Sequence, residues 1–143
     1  VGKIKVKFLQ VPHPPLKECY AYKFIGSKKI VFSGDTRYFE PLASFSKKSD
    51  VLVHEAILPE YINKIVKNTG LSLKLKKHLK SSHTKLEEVI KIAKLSNCKK
   101  LIINHLIPND NTLKQRRVWQ KNINNKINTK VIIGQDKLRI KLS

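Results

Sequence analysis

Six polar residues of this chain stand where α/β proteins gather chemistry. His13 lies in Val-Pro-His-Pro-Pro after an apolar-polar alternation, and Asp35 follows a short apolar run in Phe-Ser-Gly-Asp-Thr. His54 and Glu55 close Asp-Val-Leu-Val, His105 follows Leu-Ile-Ile-Asn, and His83 immediately precedes Thr84 at a helix signal. Each falls at the C-terminal end of an expected strand or the N-terminal end of an expected helix, the rim on which open α/β sheets place their ligands. Pro12 and Pro14 stiffen the backbone around His13, and Gly34 allows a tight turn before Asp35. Imidazoles and a carboxylate on stiff loops make a donor set that suits zinc and similar ions. Singly, each residue has a plainer reading: a hydrogen-bonded strand-end histidine, an Asp that caps a turn, a surface His-Glu pair. His78 reads as a solvated residue among lysines.

The elements that must position these residues follow from hydrophobic period. Alternation at Ile4, Val6 and Phe8 predicts a half-buried strand over 4–11. Strands are also expected over 19–24 and 29–32, joined at Gly26-Ser27, and over 50–53 and 101–103, whose continuous apolar runs fit strands covered on both faces. A last pair is expected over 130–133 and 137–142. Helices are expected over 38–46, 57–68 and 112–122. Another begins at Thr84, three residues before Glu87 as in a capping box, with Leu86, Val89, Ile90 and Ala93 on one face. Residues 71–80 alternate apolar and basic, which leaves strand, helix and flexible insertion open. Alternating strands and helices give an α/β layer.

Charge and composition narrow the function classes. The chain has 143 residues, 41% of them hydrophobic, and a formal net charge of +20. That balance suits an anionic partner such as RNA. Yet only Arg37, Arg116, Arg117 and Arg139 are Arg among 30 basic residues, and the lysines are scattered, as in compositional drift. Cys19 and Cys98 form no metal-binding pair and read as thiols of a reducing compartment. No apolar run has the length of a membrane span, and Val1-Gly2-Lys3-Ile4 carries no targeting pattern, so a cytoplasmic protein without a membrane partner is expected.

The order of the motifs adds what the single residues lack. Val-Pro-His, Tyr20-Ala21-Tyr22, Ser33-Gly34-Asp35-Thr36, His54-Glu55-Ala56, Ser82-His83-Thr84, Asn104-His105 and Val131-Ile132-Ile133-Gly134 resemble, in sequence order, the second half of metallo-β-lactamase-fold hydrolases. Within them the chain is similar to the ribonuclease Z and arylsulfatase-like branch, in which Ser-Gly-Asp-Thr and His-Glu-Ala are typical. The resemblance implies metal ligands His13, Asp35 and His105, with Asp35 bridging two ions, and zinc as the metal. It implies catalytic roles for His83 as proton donor, Glu55 as its orienter and Asp35. Two such ions would supply Lewis acidity and a water acidified toward ~7, the chemistry for hydrolysing a phosphodiester or sulfate-like ester. The His-x-His-x-Asp-His segment that supplies the remaining ligands in the family does not occur in these residues. After His105, Leu-Ile-Pro-Asn-Asp resembles the arylsulfatase-like members more than a Ser-Arg-Tyr-type loop.

The expected fold is therefore α/β, one αβ half of a four-layer αββα metallo-β-lactamase sandwich, with residues 1–143 as its C-terminal half. The expected function is the C-terminal part of a di-metal hydrolase acting on an anionic ester, inactive as an isolated chain. Its expected partners are the missing N-terminal half or a second copy, and RNA. A non-enzymatic truncated remnant and a basic nucleic-acid-binding module are the competing readings.

Overall fold

Period-two alternation produces the first strand, β1 (Lys5–Gln10), which pairs antiparallel with β2 (Tyr20–Ile25). Strand β2 pairs antiparallel with β3 (Lys29–Phe32). Three parallel strands then extend the sheet: β4 (Val51–Ile57), β5 (Lys100–Ile107) and β6 (Lys130–Ile133). Spatial order follows sequence order from β1 to β6. This computed structural model describes residues 3–69, 73–109, 112–123 and 126–142.

The helices are α1 (Pro41–Phe45), α2 (Ile62–Thr69), α3 (Leu73–Ser82), α4 (Leu86–Ser96) and α5 (Leu113–Ile123). The register fixes which side chains they cover. Val31, Leu52 and Leu101 stand side by side on β3, β4 and β5, and are buried with Leu42, Val89, Ile92 and Trp119 from α1, α4 and α5. On the opposite parity runs a second row across all six strands: Phe8, Tyr22, Phe32, Val53, Ile102 and Ile132. Its β1 end is bare, with Phe8 69% exposed and Tyr22 and Phe32 also exposed. A sheet covered by helices on one face and apolar on the other is one αβ half of a layered sandwich.

Several boundaries differ from the sequence reading. The strand expected over 50–53 runs on to Ile57, all seven residues buried, so the residues expected to open a helix at 57 close a strand instead. A 3-10 turn at Pro59–Tyr61 then leads into α2, and Gly70, the expected stop, lies outside the described residues. Only Pro41–Phe45 of the expected 38–46 is helical, because Pro41 belongs in a first turn. The capping box sits one residue later than expected. Lys85 is the cap, and its N–H donates to Glu88 at 3.0 Å, while the Thr84 hydroxyl donates to Thr36 O at 2.6 Å. From residue 73 onward, the segment left open over 71–80 is helix α3; Leu71 and Ser72 lie outside the described residues.

The expected strand over 137–142 does not pair. Lys137 is left-handed and Leu138 N–H closes a turn onto Gln135 O at 3.0 Å, which breaks the strand direction. Leu138, Ile140 and Leu142 instead line a groove of about 660 Å³ with Phe32, Val53 and Ile102 of the open face. Among the described residues no helix is long and apolar enough to cross a membrane.

Candidate metal centre

His13 is carried just beyond β1 and is buried. Its Nδ1 lies 2.9 Å from Ser82 O. A carbonyl only accepts, so Nδ1 carries the proton and Nε2 keeps its lone pair for an ion or a proton. Arg37 N–H donates to Pro12 O at 2.9 Å, which ties the His13 loop to the Asp35 loop.

Asp35 follows Gly34, whose φ is +62° and where a Cβ would stand 2.7 Å from Tyr20 O. Only glycine fits that turn. His105 reaches the same rim by a different device. Glu55 pairs with Asn104 but Ala56 pairs with Leu106, so His105 is the extra residue of a β-bulge, with φ +40°. Bulges re-aim side chains beside functional sites, and left-handed backbone at a non-glycine residue persists only where its surroundings impose it. His105 Nε2 lies 3.7 Å from Asp35 Oδ2, and the His105 ring stacks on His83 with centroids 5.5 Å apart.

Glu55 is the buried node behind these loops, 1% exposed. Its Oε1 accepts from Thr36 N–H at 3.0 Å and Thr84 N–H at 3.2 Å, and its Oε2 from His83 Nδ1 at 3.0 Å. A carboxylate accepting several N–H groups orders three segments at once: the turn after β3, the end of β4 and the start of α4. Burial works against charging His83, but the Glu55 hydrogen bond and the charges of Glu55 and Asp35 together outweigh it, and its pKa is raised. With Nδ1 held by Glu55, Nε2 is the nitrogen available for chemistry.

His54 is set apart by one step of strand parity. It pairs with Ile103 and, through it, Ile133 on the helix-covered face, fully buried, with Nδ1 2.7 Å from Glu55 O. Burial outweighs that hydrogen bond and lowers its pKa to about 4. Its Nε2 has no hydrogen-bond partner among the described residues.

His78 departs from the expectation of a solvated residue. It is half-buried, and His13, His78 and His83 each bring a ring nitrogen within 4.8 Å of the other two. The cause is helix α3, which places His78 one turn before Ser82, beside the His13 loop. Sequence reasoning named Ser82, Thr36 and Thr84 only within motifs, Thr84 as a helix cap; the structure gives their hydroxyls and N–H groups the further task of binding the loops together. Their signal was adjacency: each directly flanks a candidate histidine or Asp.

Asp35 and His105 meet at this rim, and His13 connects to it through its ring contact with His83, centroids 5.0 Å apart; donors of these types suit a metal ion. His13 has a bare Nε2, Asp35 offers a half-exposed carboxylate, and His105 stands within 3.7 Å of it. Imidazole and carboxylate donors suit zinc.

Comparison with solved structures gives the fold. A metallo-β-lactamase-fold protein of Bacillus subtilis superposes on 94% of this chain and 47% of its own, with TM-score 0.65 and 23% identity. A long-form RNase Z from yeast covers 92% of this chain and 16% of its own, with TM-score 0.61 and 21% identity. Among curated proteins, ribonuclease Z 1 of Schizosaccharomyces pombe is 31% identical over 102 residues, 70% of this chain and 11% of the relative. The chain is a ribonuclease Z-like protein of the metallo-β-lactamase fold. Ribonuclease Z of Clostridioides difficile is 29% identical over 115 residues, 80% of this ribonuclease Z-like chain and 33% of the relative. The chain thus spans a third or less of the length of these two curated relatives. No family model matches it.

Proposed function

We propose that this chain is the C-terminal half of a two-metal phosphodiesterase of the ribonuclease Z kind, acting on RNA in the cytoplasm. The observation that carries the reading is the unbroken series Glu55–His83–His105–Asp35 at the strand ends, with neighbouring rings 5.5 Å apart and flanking contacts of 3.0 and 3.7 Å. His13, Asp35 and His105 would hold zinc, completed by a His-x-His-x-Asp-His segment that these 143 residues do not contain. Two such ions, when bound, supply Lewis acidity and a water acidified toward neutrality.

The chain's own residues do the rest. Glu55 holds His83 as the Nδ1–H tautomer and favours its charged form, so His83 Nε2 keeps a proton for the leaving oxygen. Burial of Glu55 keeps water from that hydrogen bond. The net charge of +20 supplies long-range attraction for a polyanion. A phosphodiester is favoured over a sulfate ester because the curated relatives are ribonucleases Z.

The test is hydrolysis of bis(p-nitrophenyl) phosphate with zinc, by the chain alone and with a purified His-x-His-x-Asp-His half-domain. The expected result is no turnover above a His105→Ala control for the chain alone, and turnover on complementation that needs His83. Robust zinc-dependent turnover by the chain alone overturns the half-site reading.

A further inference from the structure

We propose that His13, His78 and His83 form a tris-imidazole site for a single zinc-class divalent ion, sharing only His13 with the two-metal ligand set and needing no second half-domain. The three rings form one mutual cluster, each in contact with the other two. Their centroids are 5.0 Å apart for His13 and His83, 5.8 Å for His13 and His78, and 5.9 Å for His78 and His83. The rings meet nearly at right angles, 72° to 84°, which rules out a plain stack.

The Nδ1 atom of each ring has a hydrogen-bond partner that fixes its tautomer. His13 Nδ1 donates to Ser82 O at 2.9 Å, and His83 Nδ1 to Glu55 Oε2 at 3.0 Å. Ser82 Oγ gives its single hydrogen to Pro14 O at 2.5 Å, so toward His78 Nδ1, 3.1 Å away, it is an acceptor. His78 Nδ1 therefore carries a proton as well. In the neutral form of each ring the lone pair therefore lies on Nε2, backed by a hydrogen-bonded Nδ1–H, and an ion on His83 has to displace the Nε2 proton that Glu55 favours. A hydrogen-bonded Nδ1–H is the arrangement that orients histidine ligands and raises their basicity at metal sites.

Ser82 serves two of the three rings. It is buried, its carbonyl holds His13 and its hydroxyl holds His78. Three nitrogens on a common zinc at 2.0–2.1 Å stand roughly 3.3–3.5 Å apart, so closure from as much as 4.8 Å shortens an edge by up to roughly 1.3–1.5 Å. Three imidazoles with an open fourth position form a known class of zinc site. The carboxylate of Glu55, behind His83, partly offsets the added positive charge, while Lys74, Lys77 and Lys80 of α3 are exposed. An ion held on His83 Nε2 takes away the nitrogen that carries the leaving-group proton. Occupancy of this site therefore excludes both proton donation by His83 and the place of His13 in the two-metal set.

The test uses cobalt(II) as a spectroscopic stand-in for zinc on the full 143-residue chain. The wild-type chain is expected to bind one cobalt with the intense visible bands of a tetrahedral or five-coordinate complex. His78→Ala should weaken binding on the order of 100-fold, since even an outer partner of a ligand is worth up to that much. His105→Ala and Asp35→Ala should leave the affinity within about twofold. Thermal unfolding without metal is the control that His78→Ala is folded, with a cooperative transition expected. As an independent arm, His78→Cys should add a near-ultraviolet sulfur-to-cobalt charge-transfer band that the wild type lacks. Wild-type-like binding by His78→Ala, or no charge-transfer band in His78→Cys, overturns the proposal. Loss of binding in His105→Ala rather than His78→Ala places the ion at the two-metal ligands, which keeps that reading and removes this one.

Discussion

Glu55 Oε2 and His83 Nδ1 stand 3.0 Å apart in a site from which solvent is nearly excluded, and the same carboxylate also receives the N–H groups of Thr36 and Thr84. The pair therefore has two separable jobs, charge and architecture. Glu55→Gln keeps an acceptor oxygen for the backbone but removes the negative charge. The His83 pKa, raised in the wild type, should fall in this variant, as read from its Cε1–H resonance against pH. A raised folded pKa contributes stability that is present below the ordinary value of ~6.5 and is lost as pH rises through the folded value. Glu55→Gln should remove that particular dependence. Glu55→Ala leaves buried donors without an acceptor and should cost about 2–4 kcal/mol in denaturant unfolding.

His54 has the opposite linkage. Its folded pKa of about 4 lies below the ordinary histidine value, so the unfolded chain takes up a proton that the folded chain refuses. Stability should fall as pH drops from ~6.5 to about 4, by about 3 kcal/mol in all at ~1.4 kcal/mol per pH unit. His54→Phe should flatten that acid limb. Urea unfolding at a series of pH values measures it, and an unchanged acid limb in the variant would show that His54 is not its source.

Much of the sheet and of its rim was legible because period and position in an α/β layer are local signals. Ile4, Val6 and Phe8 announced β1, and Gly34 announced the turn that lifts Asp35. What escaped depended on tertiary partners. His105 sits in a bulge that becomes visible only against the register of β4. Thr84 scores as a helix cap on local pattern, but its hydroxyl is taken by Thr36, 48 residues away. His78 read as solvated because its neighbours are lysines; α3 carries it inward beside Ser82, and no spacing rule links residue 78 to residue 13.

Gly34→Ala isolates the geometry of the Asp35 turn. The new Cβ would meet Tyr20 O at 2.7 Å from a left-handed backbone. Left-handed backbone alone costs an L-residue about 1–2 kcal/mol, so a total loss of at least about 2 kcal/mol is expected in thermal or urea unfolding. A variant as stable as wild type would mean that the turn tolerates a side chain.

The bare apolar row explains how the isolated chain should behave. Phe8, Tyr22 and Phe32 are exposed side by side across β1, β2 and β3. Soluble monomers rarely leave large contiguous apolar patches open, and burying each such side chain is worth about 1.5–3 kcal/mol. Sedimentation of the chain alone should therefore show concentration-dependent self-association despite the net charge of +20. Phe8→Lys should weaken it. A concentration-independent monomer with an ordinary melting temperature would contradict the reading of this face.

The central claim is that these residues complete a catalytic site only together with a His-x-His-x-Asp-His half. The most direct measurement is the rate of zinc-dependent phosphodiester hydrolysis by the two purified halves mixed, against each half alone. The expected outcome is activity in the mixture alone, abolished by Asp35→Ala and reduced about 10²- to 10⁴-fold by His83→Ala, the usual worth of a positioned general acid. Full activity in the 143-residue chain by itself, or a mixture indifferent to Asp35 and His83, would contradict it.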